Sequence, residues 1–123
     1  MAIPSGSGTE VLKRAKLQGF DHSADNKIID GVANHIYTIL SVIVFNGHGS
    51  TTTGVNLYIW PDATSGNVID LLAGQQASIP AYGTFVFNDK FVMVGTDELV
   101  IAAKSGGGGN LDAWVSYIDQ DWT

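Results

Sequence analysis

From His35 to Phe45 nearly every position is apolar, β-branched or aromatic. Two series alternate there: Tyr37, Ile39, Ser41, Ile43 and Phe45 fall on one face, and Ile36, Thr38, Leu40, Val42 and Val44 on the other. A period of two is that of an extended strand, and with both faces largely apolar this strand must be covered on each side, within the domain or by another subunit. Between Glu10 and Leu17 the period is weaker. Val11, Ala15 and Leu17 share a face with Lys13, which predicts a first strand. Val55, Leu57 and Ile59 alternate with Asn56, Tyr58 and Trp60, predicting a one-sided strand ended by Pro61.

Turn chemistry punctuates the rest. Asp21 to Gly31, with Asp21, Asp25 and Asp30, reads as a polar loop, and Asn46 to Gly54, rich in Gly and Thr, as a surface loop. Short strand runs over Val68 to Ala73 and Gln75 to Ile79 flank Gly74. Pro80-Ala81-Tyr82-Gly83 predicts a β-turn, because Pro presets its own φ and Gly accepts a positive one. Phe85 and Phe87 then alternate with Thr84 and Val86, Asn88-Asp89 turns the chain, and Phe91 to Val94 returns. Gly95-Thr96-Asp97 leads into a strand from Glu98 to Ala103. A four-glycine loop spans Ser105 to Asn110, and a last strand runs from Leu111 to Asp119, with Val115 and Tyr117 on one face and Trp114 and Ile118 on the other. About eight short strands and no sustained 3.6-residue period predict an all-β fold, an antiparallel β-sandwich of jelly-roll-like form. Met1 to Thr9 offers Gly, Ser and Pro and little to bury. It is expected to be a flexible N-terminal arm ahead of a single sandwich domain over residues 10–123.

Composition narrows the functional classes. At 123 residues the chain can bury one real core. It has no Cys, so neither disulfides nor thiolate metal sites are available, which suits synthesis in a reducing cytoplasm. Twelve acidic residues against six basic ones give a net charge of −6, with the basic residues clustered only at Lys13, Arg14 and Lys16. Nucleic-acid binding needs a cationic face, so no nucleic-acid partner is expected. The apolar run from Ile36 to Phe45 is too short to span a bilayer, and the opening residues lack the basic-then-apolar pattern of a secretory signal. No membrane partner is expected either.

Chemistry-bearing patterns are sparse. His22, His35 and His48 are not spaced to converge on a metal, and the Asp21, Asp25, Asp30 series lacks the central Gly and terminal Glu of a calcium loop. There is no Gly-x-Ser-x-Gly elbow. Gly106 to Gly109 lacks the Lys and the helix of a phosphate loop, and the adjacent Asp97 and Glu98 point to opposite sheet faces. No catalytic, cofactor-binding or metal-binding residue is therefore expected, and no cofactor. What stands out is a set of aromatic and basic side chains: Lys13, Arg14, Lys16, Tyr37, Tyr58, Trp60, Trp114 and Trp122 form the candidate interface. Aromatic residues at a surface suit either a protein interface or stacking on a sugar ring. The doubly apolar strand favours subunit burial over a sugar ligand. The basic cluster is suited to acidic groups on a neighbouring subunit, with the arm adapting to that subunit's surface.

Several of these segments, in this order, carry a resemblance: the strand from Tyr37 to Phe45 ending in Asn46, the strand Val55 to Trp60, and Ser78-Ile79-Pro80-Ala81-Tyr82-Gly83-Thr84. Val94-Gly95-Thr96-Asp97-Glu98-Leu99-Val100-Ile101 and the final strand Leu111 to Asp119 continue it. Over residues 35–119 the chain resembles small β-sandwich structural proteins of tailed-phage virions, including head decoration or cement proteins. The opening Ala2 to Arg14 is similar to the start of marine phage structural proteins. The resemblance implies a virion component without enzymatic activity, made in the host cytoplasm. It implies a homo-oligomer, often trimeric, that binds other virion proteins such as the major capsid protein. The same sandwich occurs in neck, tail and fibre parts, and a carbohydrate-binding module is the alternative from another class.

Overall fold

A computed structural model describes residues 9–20, 25–72, 76–105 and 110–122. Ten strands are present among them: β1 (Thr9–Phe20), β2 (Asn26–Asp30), β3 (His35–Asn46), β4 (Thr53–Trp60), β5 (Ile69–Asp70), β6 (Ala77–Ile79), β7 (Thr84–Phe87), β8 (Phe91–Val94), β9 (Glu98–Ser105) and β10 (Leu111–Asp121). All pairings are antiparallel. One sheet runs β1-β10-β3-β7 with β8 also on β3, and the other runs β2-β9-β4-β5 with β6 also on β4.

Register shows that the extra strands are interruptions. On β3, Val42 to Phe45 pair with Phe87 to Thr84, and Ile36 to Ile39 pair with Val94 to Phe91. Chain direction is therefore the same through β7 and β8, which form one broken edge strand. The return expected after Asn88-Asp89 does not occur. β5 and β6 likewise occupy successive stretches of the same edge of β4. Each sheet thus has four strand positions, and the two orders interleave as in a jelly roll, with first and last strands adjacent. The all-β sandwich expected from the sequence is the observed fold.

The core lies between the sheets, where Ile39, Leu57, Ile79, Met93, Leu99, Ile101 and Leu111 are fully buried. In β3 the strict two-residue period fails. Opposite β10 the register shifts, Ser116 pairing with Ser41 but Tyr117 with Ile39, so that Leu40 is an extra residue, a β-bulge. Parity changes there. The inward series is Tyr37, Ile39, Val42, Val44 and Asn46, and the outward one after the bulge is Ile43 and Phe45. The two faces read from the sequence are each half inward and half outward.

Other departures have similarly local causes. Asn26 to Asp30, within the expected polar loop, is a strand whose Ile28 and Ile29 are buried, with a register shift between Lys27 and Ile29. Val55 to Trp60 is not one-sided. Asn56 and Tyr58 are buried along with Val55 and Leu57, Asn56 bonded to Asp70 of the segment that returns along the edge of β4 and Tyr58 to Asp25. Asp62 and Ala63, with φ of 53° and 57°, make that reversal. Asn46 and Thr53, at the ends of the expected surface loop, are buried. Within Val68 to Ala73 the described strand is Ile69 and Asp70, and Leu71 N continues the contact by donating to Leu57 O at 3.0 Å; Ala73, Gly74 and Gln75 lie outside the described residues.

The tetrapeptide from Pro80 to Gly83 does form the turn, closed by Gly83 N donating to Pro80 O at 2.8 Å. Its left-handed residue is Tyr82, at φ 56°, and not Gly83. Gly83 is needed for space, since a Cβ there would meet Pro80 Cγ at 2.8 Å. Of the expected arm, Met1 to Gly8 lie outside the described residues, while Thr9 opens β1. His22 and the four glycines from Gly106 also lie outside them.

Candidate functional site

The sandwich separates the candidate residues into several groups. The first is the outer face of the β1-β10-β3 sheet. Cross-strand register aligns Leu12, Ile118, Thr38 and Val92 in one row, and Lys16, Trp114, Ile43 and Val86 in another. Between them Arg14 opposes Ser116, and its guanidinium lies 4.9 Å from the centre of the Trp114 ring. Leu12 is 71% exposed, Val92 59% and Trp114 44%, and Val86, Ile43 and Phe45 are exposed as well. Lys16, Ile43, Phe45 and Trp114 border a shallow depression of about 300 Å³. The structure thus brings Arg14, Lys16 and Trp114 together, and adds Leu12, Ile43, Phe45, Val86 and Val92. A period-two reading that placed both faces of β3 equally had no means of singling these out.

Lys13 belongs elsewhere. It faces inward, beside Tyr117, and its Nζ reaches Asp119 Oδ2 at 2.9 Å. His35 Nδ1 lies 2.7 Å from the other oxygen, Oδ1, of the same carboxylate, and His35 Nε2 lies 3.5 Å from Asp121 Oδ1. Asp119 therefore ties β1 to β10 and β3, which explains a lysine on the otherwise apolar face of β1. Burial pulls the Asp119 carboxyl up, but hydrogen bonds from Lys13 and His35 and their charges outweigh it and hold it below the ordinary carboxylate range. The hydrogen bond to Asp119 raises the Lys13 ammonium in return.

A carboxyl whose folded pKa is depressed stabilises the fold above its unfolded value near pH 3.9, and the contribution is lost as pH falls through the folded value. Asp119→Asn is expected to cost about 1–2 kcal/mol at neutral pH, by removing one charged partner of Lys13 and His35. In thermal melts from pH 7 to pH 2 the gap between variant and parent should close only below about pH 4. A gap that stays constant over that range would show that the carboxylate charge is not what holds the three strands.

Tyr37 is in the core, 4% exposed, and its hydroxyl accepts from Val32 N at 3.0 Å. It is not a surface residue. Trp122 is partly buried at the end of the chain, with its backbone N donating to Asn34 O at 3.0 Å.

Tyr58 and Trp60 lie on the outer face of the second sheet. Tyr58 is 6% exposed, and its hydroxyl donates to Asp25 Oδ1. Burial first, and then that hydrogen bond, push the phenol far above its ordinary pKa, so it remains a donor. The two rings are 6.1 Å apart and inclined at 51°. Asn56 Nδ2 donates to Asp70 Oδ1 at 2.9 Å. These residues line a depression of about 550 Å³.

For Asp97 and Glu98 the structure supplies structural partners: Asp97 accepts from Asp62 N at 2.9 Å and Val94 N at 3.1 Å, and Glu98 pairs with Lys27 at 2.8 Å.

No family model matches the chain, and no curated protein matches it. Among solved structures it is similar to one described in the words "Bacillus endospore appendages form a novel family of disulfide-linked pili", with a TM-score of 0.57 and 11% sequence identity, covering 100% of this chain and 97% of that one. At that identity the likeness is one of fold.

Proposed function

We propose that the chain is a non-catalytic structural subunit of a protein assembly and docks through the outer face of its β1-β10-β3 sheet. The observation that carries this is the exposed apolar face of Leu12, Val92, Val86, Ile43, Trp114 and Phe45, on a sheet whose inner face already forms the core. Several large apolar side chains exposed on one sheet face of a folded domain mark a contact site. Arg14 over Trp114 adds the aromatic and arginine pairing common at interface centres. The pilus-type neighbour, itself described as disulfide-linked, supports a structural role, but this chain has no Cys and must cohere without disulfides. The sequence resemblance makes the assembly a tailed-phage virion, with capsid decoration as the proposed position and neck, tail or fibre as the alternative.

Leu12→Glu and Val86→Glu test the reading, since both side chains are exposed and both replacements leave the core intact. Losing the burial of one such side chain removes about 1.5 kcal/mol, so each variant is expected to associate at least about tenfold more weakly with an unchanged circular dichroism spectrum. Sedimentation velocity, and rebinding to particles stripped of the protein, measure it. A parent that sediments as a monomer and does not rebind would sink the proposal.

A further inference from the structure

The depression on the second sheet lies on the other side of the sandwich from the apolar face and is built differently. Asn56, Tyr58 and Trp60 point outward from consecutive outward positions of β4, and the segment after Pro61 brings Ser65 and Asp70 over them. Asp25 enters beside Tyr58 from the residue before β2. Two polar atoms here have no hydrogen-bond partner among the described residues. One is Oδ1 of Asn56, a side chain whose residue is only 3% exposed, and the other is Nε1 of Trp60. Buried polar groups in native proteins are nearly always paired, so each calls for a partner: Asn56 for a donor and Trp60 for an acceptor.

We infer that this depression is a binding site for a neutral sugar. A hydroxyl both donates and accepts, so a polyol offers a donor to Asn56 and an acceptor to Trp60 alike. A primary or quaternary amine offers no acceptor to Trp60. Phosphate or carboxylate groups are disfavoured because Asp25 and Asp70 line the depression, with no Lys or Arg beside them among the described residues. The 51° inclination of the two rings leaves no parallel slot for a flat heteroaromatic ligand. It does leave the ring of Trp60, the more exposed of the pair, free to meet the C–H face of a pyranose. About 550 Å³ is room for a mono- or disaccharide. The site lies apart from the proposed docking face, so a docked subunit retains it.

The chain has three Trp residues, hence three indole N–H resonances that serve as local reporters. Full-length ¹⁵N-labelled protein is titrated with glucose, galactose, mannose and N-acetylglucosamine, and separately with choline chloride and inorganic phosphate. At least one sugar is expected to move the Trp60 resonance saturably while those of Trp114 and Trp122 stay in place. Trp60→Phe, which keeps an aromatic ring but removes the N–H, should weaken that sugar about tenfold, the loss of one hydrogen bond. Ser65→Ala, in an exposed segment, provides a second variant that leaves the fold undisturbed and should weaken it by a smaller factor. The inference is overturned if no sugar moves Trp60, if choline alone does, if the shifts fall on Trp114, or if Trp60→Phe leaves the affinity unchanged.

Discussion

Asn46→Ala is expected to lower the unfolding free energy by about 3 kcal/mol. The side chain is fully buried at the end of β3. Its Nδ2 donates to Thr51 O at 2.8 Å, Ile79 O at 3.1 Å and Pro80 O at 3.2 Å, and its Oδ1 accepts from His48 N at 3.0 Å. Two N–H groups thus serve three carbonyls from two separate connections. Alanine leaves those carbonyls and one amide without this partner, and an unsatisfied buried polar group costs about 1–3 kcal/mol; part of the loss is recovered where water reaches the partly buried ends of these bonds. Asn46→Asp should be nearly as damaging, because a carboxylate retains the bond to His48 but turns acceptors against carbonyls. Urea denaturation of both variants is the measurement. A loss under about 1 kcal/mol would show that water replaces the side chain and that the loop and turn are held by other contacts.

Gly31→Ala should be comparably severe for a steric reason. A Cβ at Gly31 would lie 2.2 Å from Gly95 O and 2.3 Å from Asp97 O, both backbone atoms. That turn has little freedom to give way. Gly95 N is bonded to His35 O, Asp97 N to Val94 O, and the Asp97 carboxylate to the backbone N of Asp62 and Val94. Overpacking against a fixed backbone costs about 3 kcal/mol. Gly54→Ala is the informative comparison. There the Cβ would meet Gln76 Nε2 at 2.4 Å, but that is the far end of an exposed side chain that can swing aside, so the cost should stay near or below about 1 kcal/mol. Equal losses in the two variants would mean that the turn after β8 yields, contrary to the geometry.

The alternation of apolar residues, the turn residues between them and the missing helical period determine by themselves that this chain is an all-β sandwich, because strand formation depends on local pattern. The positions of β1, β3, β4, β9 and β10 were legible on those grounds. Arg14, Lys16 and Trp114 were legible as surface candidates, since cation and indole both favour a partly exposed face, but their meeting on one face was not.

What only the tertiary structure decided is which face of each strand is inside. One extra residue at Leu40 reverses the parity of β3 and turns Ile43 and Phe45 outward, and no local pattern distinguishes a bulge from a regular strand when both series are apolar. β2 was hidden for the opposite reason. Its two isoleucines adjoin across a register shift among polar neighbours, so no alternation remains to be read. Tyr58 and Asn56 were expected at the surface because β4 alternates, yet both are buried and bonded to Asp25 and Asp70, partners set by chain path and not by sequence period. Lys13 and Asp119 stand 106 residues apart, so the partly buried ion pair that accounts for a lysine on an apolar face exists only once β1 lies beside β10. Local physics chose the strands; long-range pairing chose their insides, and with them both candidate surfaces.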